Sequence, residues 1–496
     1  MKFGLEQHII DKLIAVFVQN PKVDKAFVFG SRAKGNYRPD SDIDIALKGP
    51  DLNTDDIIAM SVAFEEKGIT HKIDLINYNT IKEPELKDNI DRVGIEFYSR
   101  WNEYKILELG KVVTGNTPSS KFPEEFGNEM PFVTPTDYKN YNKWIFIADR
   151  NLSDKGINKL KNRVLPANSL LVTCIGSDMG KIAINKIPVV TNQQINSVIT
   201  NEKVNPNFLY YKLVSCYDVL RTYGEAGTAV PIVNKGDFEN IEITIPSDIK
   251  EQTSIASILS SLDDKIDLLH RQNKTLEQLA ETLFRSYFPM TNEDNKYVEL
   301  GNYVECINGV SYKSSELNPS KVGMVSLKSF DRNGGFSIDG FKEFTGKFKE
   351  KQEVVEGDLI VAHTDITQDA EVIGNPALVI SNPNFETMTI SMDIVKVISK
   401  VDWVSIEFLY FLMRTREFKS HCEGCANGST VLHLNKQAIP TFEFPEPDKN
   451  NVADFTKQAR EIVSKIFLNH RQLRNLVKTR DTLLPKLMSG EIRVKI

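Results

Sequence analysis

The strongest constraint in this 496-residue chain is that it repeats itself, with a period near 200 residues. Tyr104-Lys-Ile-Leu-Glu-Leu-Gly110 resembles Tyr297-Val-Glu-Leu-Gly301, and Asn168-Ser-Leu-Leu-Val172 resembles Gly357-Asp-Leu-Ile-Val361. Phe208-Leu-Tyr210 matches Phe408-Leu-Tyr410, and His270-Arg-Gln272 returns as His470-Arg-Gln472. Gly227-Thr-Ala-Val-Pro-Ile-Val-Asn-Lys235 matches Gly428-Ser-Thr-Val-Leu-His-Leu-Asn-Lys436. Two copies of one pattern of apolar and turn residues fold as two similar bodies. Each copy is a β-rich stretch punctuated by Gly, Pro and Asn, an exit at Ile243-Thr-Ile-Pro246 or Phe442-Glu-Phe-Pro445, and then a long helix. The boundaries this sets are 1–98, 101–246, 247–289, 296–445 and 446–490, with Pro289–Asn295 as a polar linker.

The two helices carry matched heptads. One series runs Ile255, Leu259, Leu262, Ile266, Leu269, Asn273, Leu276, Ala280, Leu283, Tyr287. The other runs Phe455, Ala459, Ile462, Ile466, Asn469, Leu473, Leu476, Arg480, Leu483, Leu487. Steps alternating four and three are the coiled-coil pattern. Separate packing of each helix on its own globular neighbour is the plainer alternative, but equal lengths and equal periods favour mutual packing. An antiparallel alignment that sets Ile255 against Leu487 also sets Asn273 against Asn469. A buried Asn is costly unless paired, so such a pair fixes register. A helix from 255 to 287 spans about 48 Å at ~1.5 Å per residue, or roughly 14 base pairs of duplex at ~3.4 Å each.

The N-terminal segment has its own motif. The strand Lys25-Ala-Phe-Val-Phe29 runs into Gly30-Ser31-Arg32-Ala33-Lys34-Gly35, followed by Ser41-Asp42-Ile43-Asp44-Ile45. Residues two apart on a strand face one side, so Asp42 and Asp44 point together. Asp74 adds a third carboxylate from the strand Lys72-Ile-Asp-Leu-Ile76. Three gathered carboxylates suit Mg2+, which takes oxygen ligands from carboxylates and substrate phosphates. Gly30 and Ser31 offer N–H and hydroxyl donors to phosphates. The segment resembles the minimal nucleotidyltransferase family (G-S-x-A-x-G, S-D-x-D, then a third Asp). The resemblance implies catalytic and metal-binding roles for Asp42, Asp44 and Asp74, nucleotide contacts at Gly30, Ser31 and Arg32, and Mg2+ with a nucleoside triphosphate as cofactors. A decayed domain kept for its contacts is the alternative.

The remaining motifs exclude more than they propose. Hydrophobic residues make up 41% and charged residues 26%, the proportions of a soluble globular chain. No apolar run reaches the ~18–20 residues of a membrane span, and Glu6 and Asp11 interrupt the amphipathic helix Leu5–Val18 where a signal peptide would be apolar. A cytoplasmic location follows as an expectation. Cys422 and Cys425 form a CxxC beside His421 and His433, half of a zinc-ligand set. Aligning Gly227 with Gly428 places Arg221 and Gly224 opposite these cysteines, so the thiols lie outside the shared framework. The net charge of −6 argues against unaided, nonspecific nucleic-acid binding.

Residues 101–490 resemble the DNA-specificity subunit of type I restriction–modification systems. The resemblance is carried by Leu107-Glu-Leu-Gly110 with Val112-Val-Thr-Gly115, by Gly227-Thr-Ala-Val with Asn234-Lys235, by Ile249-Lys-Glu-Gln-Thr-Ser-Ile-Ala256 and by Leu483-Leu-Pro-Lys-Leu-Met-Ser-Gly-Glu491. It implies an α+β multidomain chain: a small α/β nucleotidyltransferase-like domain, then two β-rich target-recognition domains separated by two long helices packed as an antiparallel coiled coil. It further implies that each recognition domain reads one half of a split site in double-stranded DNA. The helices would dock two modification subunits, which bind S-adenosylmethionine, with restriction subunits joining them and no membrane involved. Base contacts come from polar side chains on loops. The candidates are Thr136, Lys139, Ser177, Lys181, Asn192, Gln193, Gln194, Thr228 and Lys235 in the first half. In the second they are Ser326, Lys328, His363, Thr364, Ser429, Thr430 and Lys436. Lys235 and Lys436 recur in register; for the others a solvated loop residue is the competing reading. Two functions stay open: a non-catalytic recognition subunit with an accessory domain, or a nucleotidyltransferase, for example an antitoxin-like modifier, addressed to DNA by the rest of the chain.

Overall fold

Short runs of β-branched and aliphatic residues broken by Asp, Asn and Gly give the N-terminal segment strands with one face in a core. In the computed structural model it comprises α1 (Gln7–Gln19), β1 (Lys25–Val28), α2 (Gly30–Lys34), β2 (Ile43–Lys48), α3 (Thr54–Glu66), β3 (Ile73–Asn77), α4 (Pro84–Val93) and β4 (Ile95–Ser99). The strands form one sheet in the order β3-β2-β1-β4, with β2 and β3 parallel and the other neighbours antiparallel. Helix α1 packs Ile10, Leu13, Val16 and Phe17 into the core, and α3 adds Met60 and Phe64. An Asn53–Asp56 capping box starts α3, which satisfies amides that the first turn leaves unpaired. The structure describes residues 2–138, 143–176, 178–225, 232–290, 296–330, 335–365, 370–428 and 431–494. They fall into two compact units, Met1–Asp264 with Lys478–Ile496, and Lys265–Val477.

The sequence repeat is a repeat of sheets. The first copy has strands Gly110–Thr114, Ile195–Thr200, Leu170–Thr173, Ile182–Asn185 and Trp144–Ile145, side by side in that order. The second has Val304–Asn308, Ile394–Ser399, Leu359–Ala362 and Pro376–Leu378, again in that order. A two-stranded antiparallel ribbon joins the ends of each copy: Trp101–Lys105 with Glu242–Pro246, and Tyr297–Glu299 with Glu443–Pro445. One buried helix per copy, Pro206–Ser215 or Ile406–Met413, brings the matched Phe208 and Phe408 into the core.

The long helices run over Ile249–Tyr287 and Lys449–Ser489. No position of either heptad series is exposed. In the first unit Ile255 and Leu259 share a core with Leu483 and Leu487, the antiparallel pairing. There the polar core position Arg480 reaches Asp263 at 3.1 Å, and Asp263 also accepts the Tyr211 hydroxyl at 2.5 Å. In the second unit Phe284 and Phe455 meet edge to face at 5.3 Å, and Asn469 Nδ2 donates to Asn273 Oδ1 at 2.8 Å. Phe284, beside the core-series residue Leu283, is buried because Phe408 of the second copy covers that face. Among the described residues no helix is long and apolar enough to cross a membrane.

The asparagine layer makes a direct prediction. Asn273→Leu alone strands the Asn469 amide and is expected to cost about 1–3 kcal/mol. Asn273→Leu with Asn469→Leu should recover that loss while loosening register. A double-mutant cycle on thermal unfolding measures it, and zero coupling between the two positions would remove the layer as a register device.

Candidate functional site

In both copies the loops at one end of the main sheet are drawn together by backbone hydrogen bonds. In the first, Cys174 N donates to Gln194 O at 2.7 Å, Val233 N to Cys174 O at 2.9 Å, and Asn192 N to Val133 O at 3.0 Å. That gathers the loops carrying Thr136, Lys181, Asn192, Gln193, Gln194 and Lys235. In the second, His363 N donates to Asp393 O at 2.8 Å, Leu434 N to His363 O at 2.9 Å, and Ser391 N to Val325 O at 2.9 Å. That gathers Ser326, Lys328, His363, Thr364 and Lys436. Lys139, Ser177, Thr228, Ser429 and Thr430 lie outside the described residues. Thr136, Gln193, Lys235, Lys328 and Lys436 are exposed, while Lys181, Gln194 and His363 are half-buried. Asn192, Ser326 and Thr364 are buried. The Ser326 hydroxyl donates to Gly340 O at 2.7 Å, and the Asn192 amide donates to Gln194 Oε1 at 2.9 Å. These groups therefore shape loops. Burial, then the nearby His433 and Lys436, lowers the His363 pKa. Pairing of Thr364 with His433 on adjacent strands puts His433 in this cluster; sequence reasoning gave His433 only a zinc-related reading.

The three N-terminal carboxylates are brought together by the β2–β3 register, which sets Asp44 beside Asp74 on parallel strands. Asp42 precedes β2 by one residue. Gly30, at φ +68°, lies against Asp44: a Cβ there would stand 2.1 Å from Asp44 Oδ2. Burial first, then the Asp74 and Asp42 charges, raise the Asp44 pKa. Lys72 Nζ sits 2.6 Å from Asp42 Oδ2 and 3.4 Å from Asp74, and the Asp42 carboxylate holds its ammonium above the ordinary value. Arg32 is buried and spends its guanidinium on the carbonyls of Phe3, Pro39, Ser41 and Asp42. It therefore fixes the loop that leads into β2. Ser31 is half-buried beside it. The donor set fits a hard divalent cation, since it is all carboxylate, mutually repelling and already holding one cationic group. Among the described residues no three His, Cys, Asp or Glu side chains are gathered closely enough to hold a metal ion as they stand.

Known proteins resemble both regions of the chain. A family model described as type I restriction modification DNA specificity domain matches residues 98–278, and one described as polymerase beta, nucleotidyltransferase matches residues 11–103. The MjaIX type I restriction enzyme specificity subunit of Methanocaldococcus jannaschii is 27% identical over 421 residues, covering 80% of this chain and 94% of that protein. The HindI specificity subunit of Haemophilus influenzae is 33% identical over 193 residues, 37% of this chain and 40% of that protein. The crystal structure of the type I S subunit from M. genitalium aligns with TM-score 0.51 at 15% identity, over 78% of this chain and 96% of that one. Over four-fifths of its length the chain is similar to type I restriction–modification specificity subunits, and residues 98–278 match their DNA specificity domain.

Ahead of that region, residues 11–103 match the polymerase beta, nucleotidyltransferase family model. In the CxxC pair, Cys422 is buried against Gly374, with its thiol pushed up to about 12, chiefly by burial. Cys425 lies 3.8 Å from His421 Nε2, which is itself 2.8 Å from Ala438 O. The glycine at the carboxylate site can be tested against one that is sterically free. Gly30 and Gly35 both have positive φ, but a Cβ at Gly35 would meet nothing within 4 Å. Gly35→Ala is expected to cost about 1–2 kcal/mol from backbone strain alone, and Gly30→Ala more, because Asp44 must also move. Equal losses in thermal unfolding would mean that Asp44 does not rest on Gly30.

Proposed function

We propose that this chain acts as a specificity subunit in which each repeat copy, residues 101–246 and 296–445, reads one half of a bipartite site in double-stranded DNA. The observation that carries this is the recurrence of one sheet with polar loops gathered at the same end. Exposed Gln193 and half-buried Gln194 have the amide geometry that recognises adenine edges; Lys235, Lys328 and Lys436 suit guanine edges or phosphates. The long helices act as the spacer and as the docking surface for two modification subunits, which bind S-adenosylmethionine, with restriction subunits joining the same assembly. Related chains named as subunits of type I restriction enzymes support that reading. Exchanging residues 101–246 for those of a relative should change one half of the recognised sequence only. Site-resolved methylation mapping reads this directly, and a change in both halves would defeat the two-reader assignment.

For the N-terminal domain we infer Mg2+-dependent transfer of a nucleotidyl group from a nucleoside triphosphate, with Asp42, Asp44 and Asp74 as metal ligands. The adjacent register of Asp44 and Asp74 and the close seat of Gly30 on Asp44 support it. When bound, the ion would polarise the α-phosphate and steady the leaving pyrophosphate. The chain's own contribution is to hold the carboxylates in place, Arg32 fixing the loop before β2 and Gly30 leaving room for Asp44. Asp42→Ala and Asp44→Ala are each expected to abolish transfer of label from an α-labelled nucleoside triphosphate. Both should leave DNA binding within about twofold, since the carboxylates lie outside the repeat. Loss of DNA binding by a variant that stays folded would make the domain part of the reader.

A further inference from the structure

Two cationic side chains act on the N-terminal carboxylates, and they are held very differently. Arg32 is immobilised by carbonyls from Phe3, Pro39, Ser41 and Asp42. Lys72 is fixed at its backbone, whose carbonyl accepts Ile43 N at 2.8 Å, while its side chain is 67% exposed and held by the carboxylates alone. Its ammonium nevertheless lies between two of the three carboxylates, 2.6 Å from Asp42 and 3.4 Å from Asp74. Asp44 cannot turn away to compensate, because it is strand-paired with Asp74 and seated on Gly30. A divalent ion approaching Asp42 and Asp74 meets a like charge within a few ångströms, a distance well inside the screening length of ordinary salt.

We propose that Lys72 is the resident counter-cation of this site and must swing out before a divalent ion can load. Lys72 then sets the cation concentration at which the site fills. The proposal rests on the metal-dependent reading given above. The exposed arm makes the swing sterically free, and the fixed Arg32 keeps the loop in place while it happens. Lys72 is a positioning residue in this scheme, acting on the ligands rather than on a substrate.

The test is binding, without turnover. Full-length protein is titrated with Mn2+ in the absence of nucleotide, and free Mn2+ is read by electron paramagnetic resonance. Lys72→Ala is expected to bind Mn2+ at least about tenfold more tightly than the unmodified protein, since a competing charge has been removed. Lys72→Arg, which keeps the charge, should bind like the unmodified protein, and Asp44→Asn combined with Lys72→Ala should bind no Mn2+ in this range. Lys72 being solvent-exposed, the two single Lys72 variants should keep the parent's thermal unfolding midpoint. If Lys72→Ala binds Mn2+ equally or more weakly while Asp44→Asn still abolishes binding, the counter-cation role is overturned and the metal reading stands. If neither the unmodified protein nor Lys72→Ala binds Mn2+ saturably at millimolar concentration, the metal reading itself falls.

Discussion

One amide–amide hydrogen bond, from Asn469 Nδ2 to Asn273 Oδ1, interrupts an otherwise apolar seam between the long helices of the second unit. It does not add stability. Asn273 Nδ2 and Asn469 Oδ1 are buried without a hydrogen bond, and each such group costs about 1–3 kcal/mol. What the pair supplies is selection among registers. Slipping one helix by a heptad would set each Asn against an aliphatic neighbour and strand two whole amides, whereas the native register strands half of each. The apolar positions alone do not discriminate this way, because Leu and Ile accept one another at every heptad step. Everything built on the helices inherits that choice, including the contact of Arg414 with Glu281 at 2.7 Å, which ties the second copy to its helix.

Attachment of the N-terminal domain follows a different logic. In the first unit Arg100 donates to Glu251 Oε1 from two nitrogens, at 2.9 and 2.8 Å, and to Pro21 O at 2.6 Å. Both side chains of the ion pair are 4% exposed. Burial pushes the Glu251 carboxyl up and Arg100 pulls it back. A buried pair of this kind returns little net stability, but removing one partner leaves a buried charge and typically costs about 3–5 kcal/mol. Arg493 adds a second tie, to Asp24 at 2.6 Å. The domain is thus joined to the start of the first long helix and to the residues after the second by side-chain contacts, unlike a domain on a flexible linker.

The repeat, the heptads and the carboxylate triad were legible in the sequence because each is a periodic or strictly spaced pattern. Period 2 placed Asp42 and Asp44 on one side; period 3.5 placed Asn273 and Asn469. What escaped was decided by neighbours distant in sequence. Phe284 and Val463 are buried although each sits one residue off its heptad series, because the second copy covers that helix face. Lys72 reads as an ordinary solvated lysine until the β2–β3 register brings it to Asp42, and His433 joins His363 only through strand pairing. Arg32 is charged and lies in a motif, yet its buried guanidinium is consumed by four carbonyls, a demand set by the path of the loop before β2.

Local pairing bears on how a chain of net charge −6 would act as the DNA reader proposed above. Lys181 is held by Asp178 at 2.7 Å and Lys235 by Glu239 at 3.4 Å. A lysine so paired must exchange a carboxylate for a phosphate when it meets DNA. Its contribution to nonspecific, salt-dependent binding is smaller than the lysine count suggests. On the reading proposed above, the loops present donors whose reach is local, and affinity would depend on the fit of exposed polar groups more than on the field of the whole chain. Low nonspecific affinity helps a protein that must pass over a great excess of wrong sequence, because the useful quantity is the ratio of specific to nonspecific binding. The acidic balance then becomes part of the discrimination.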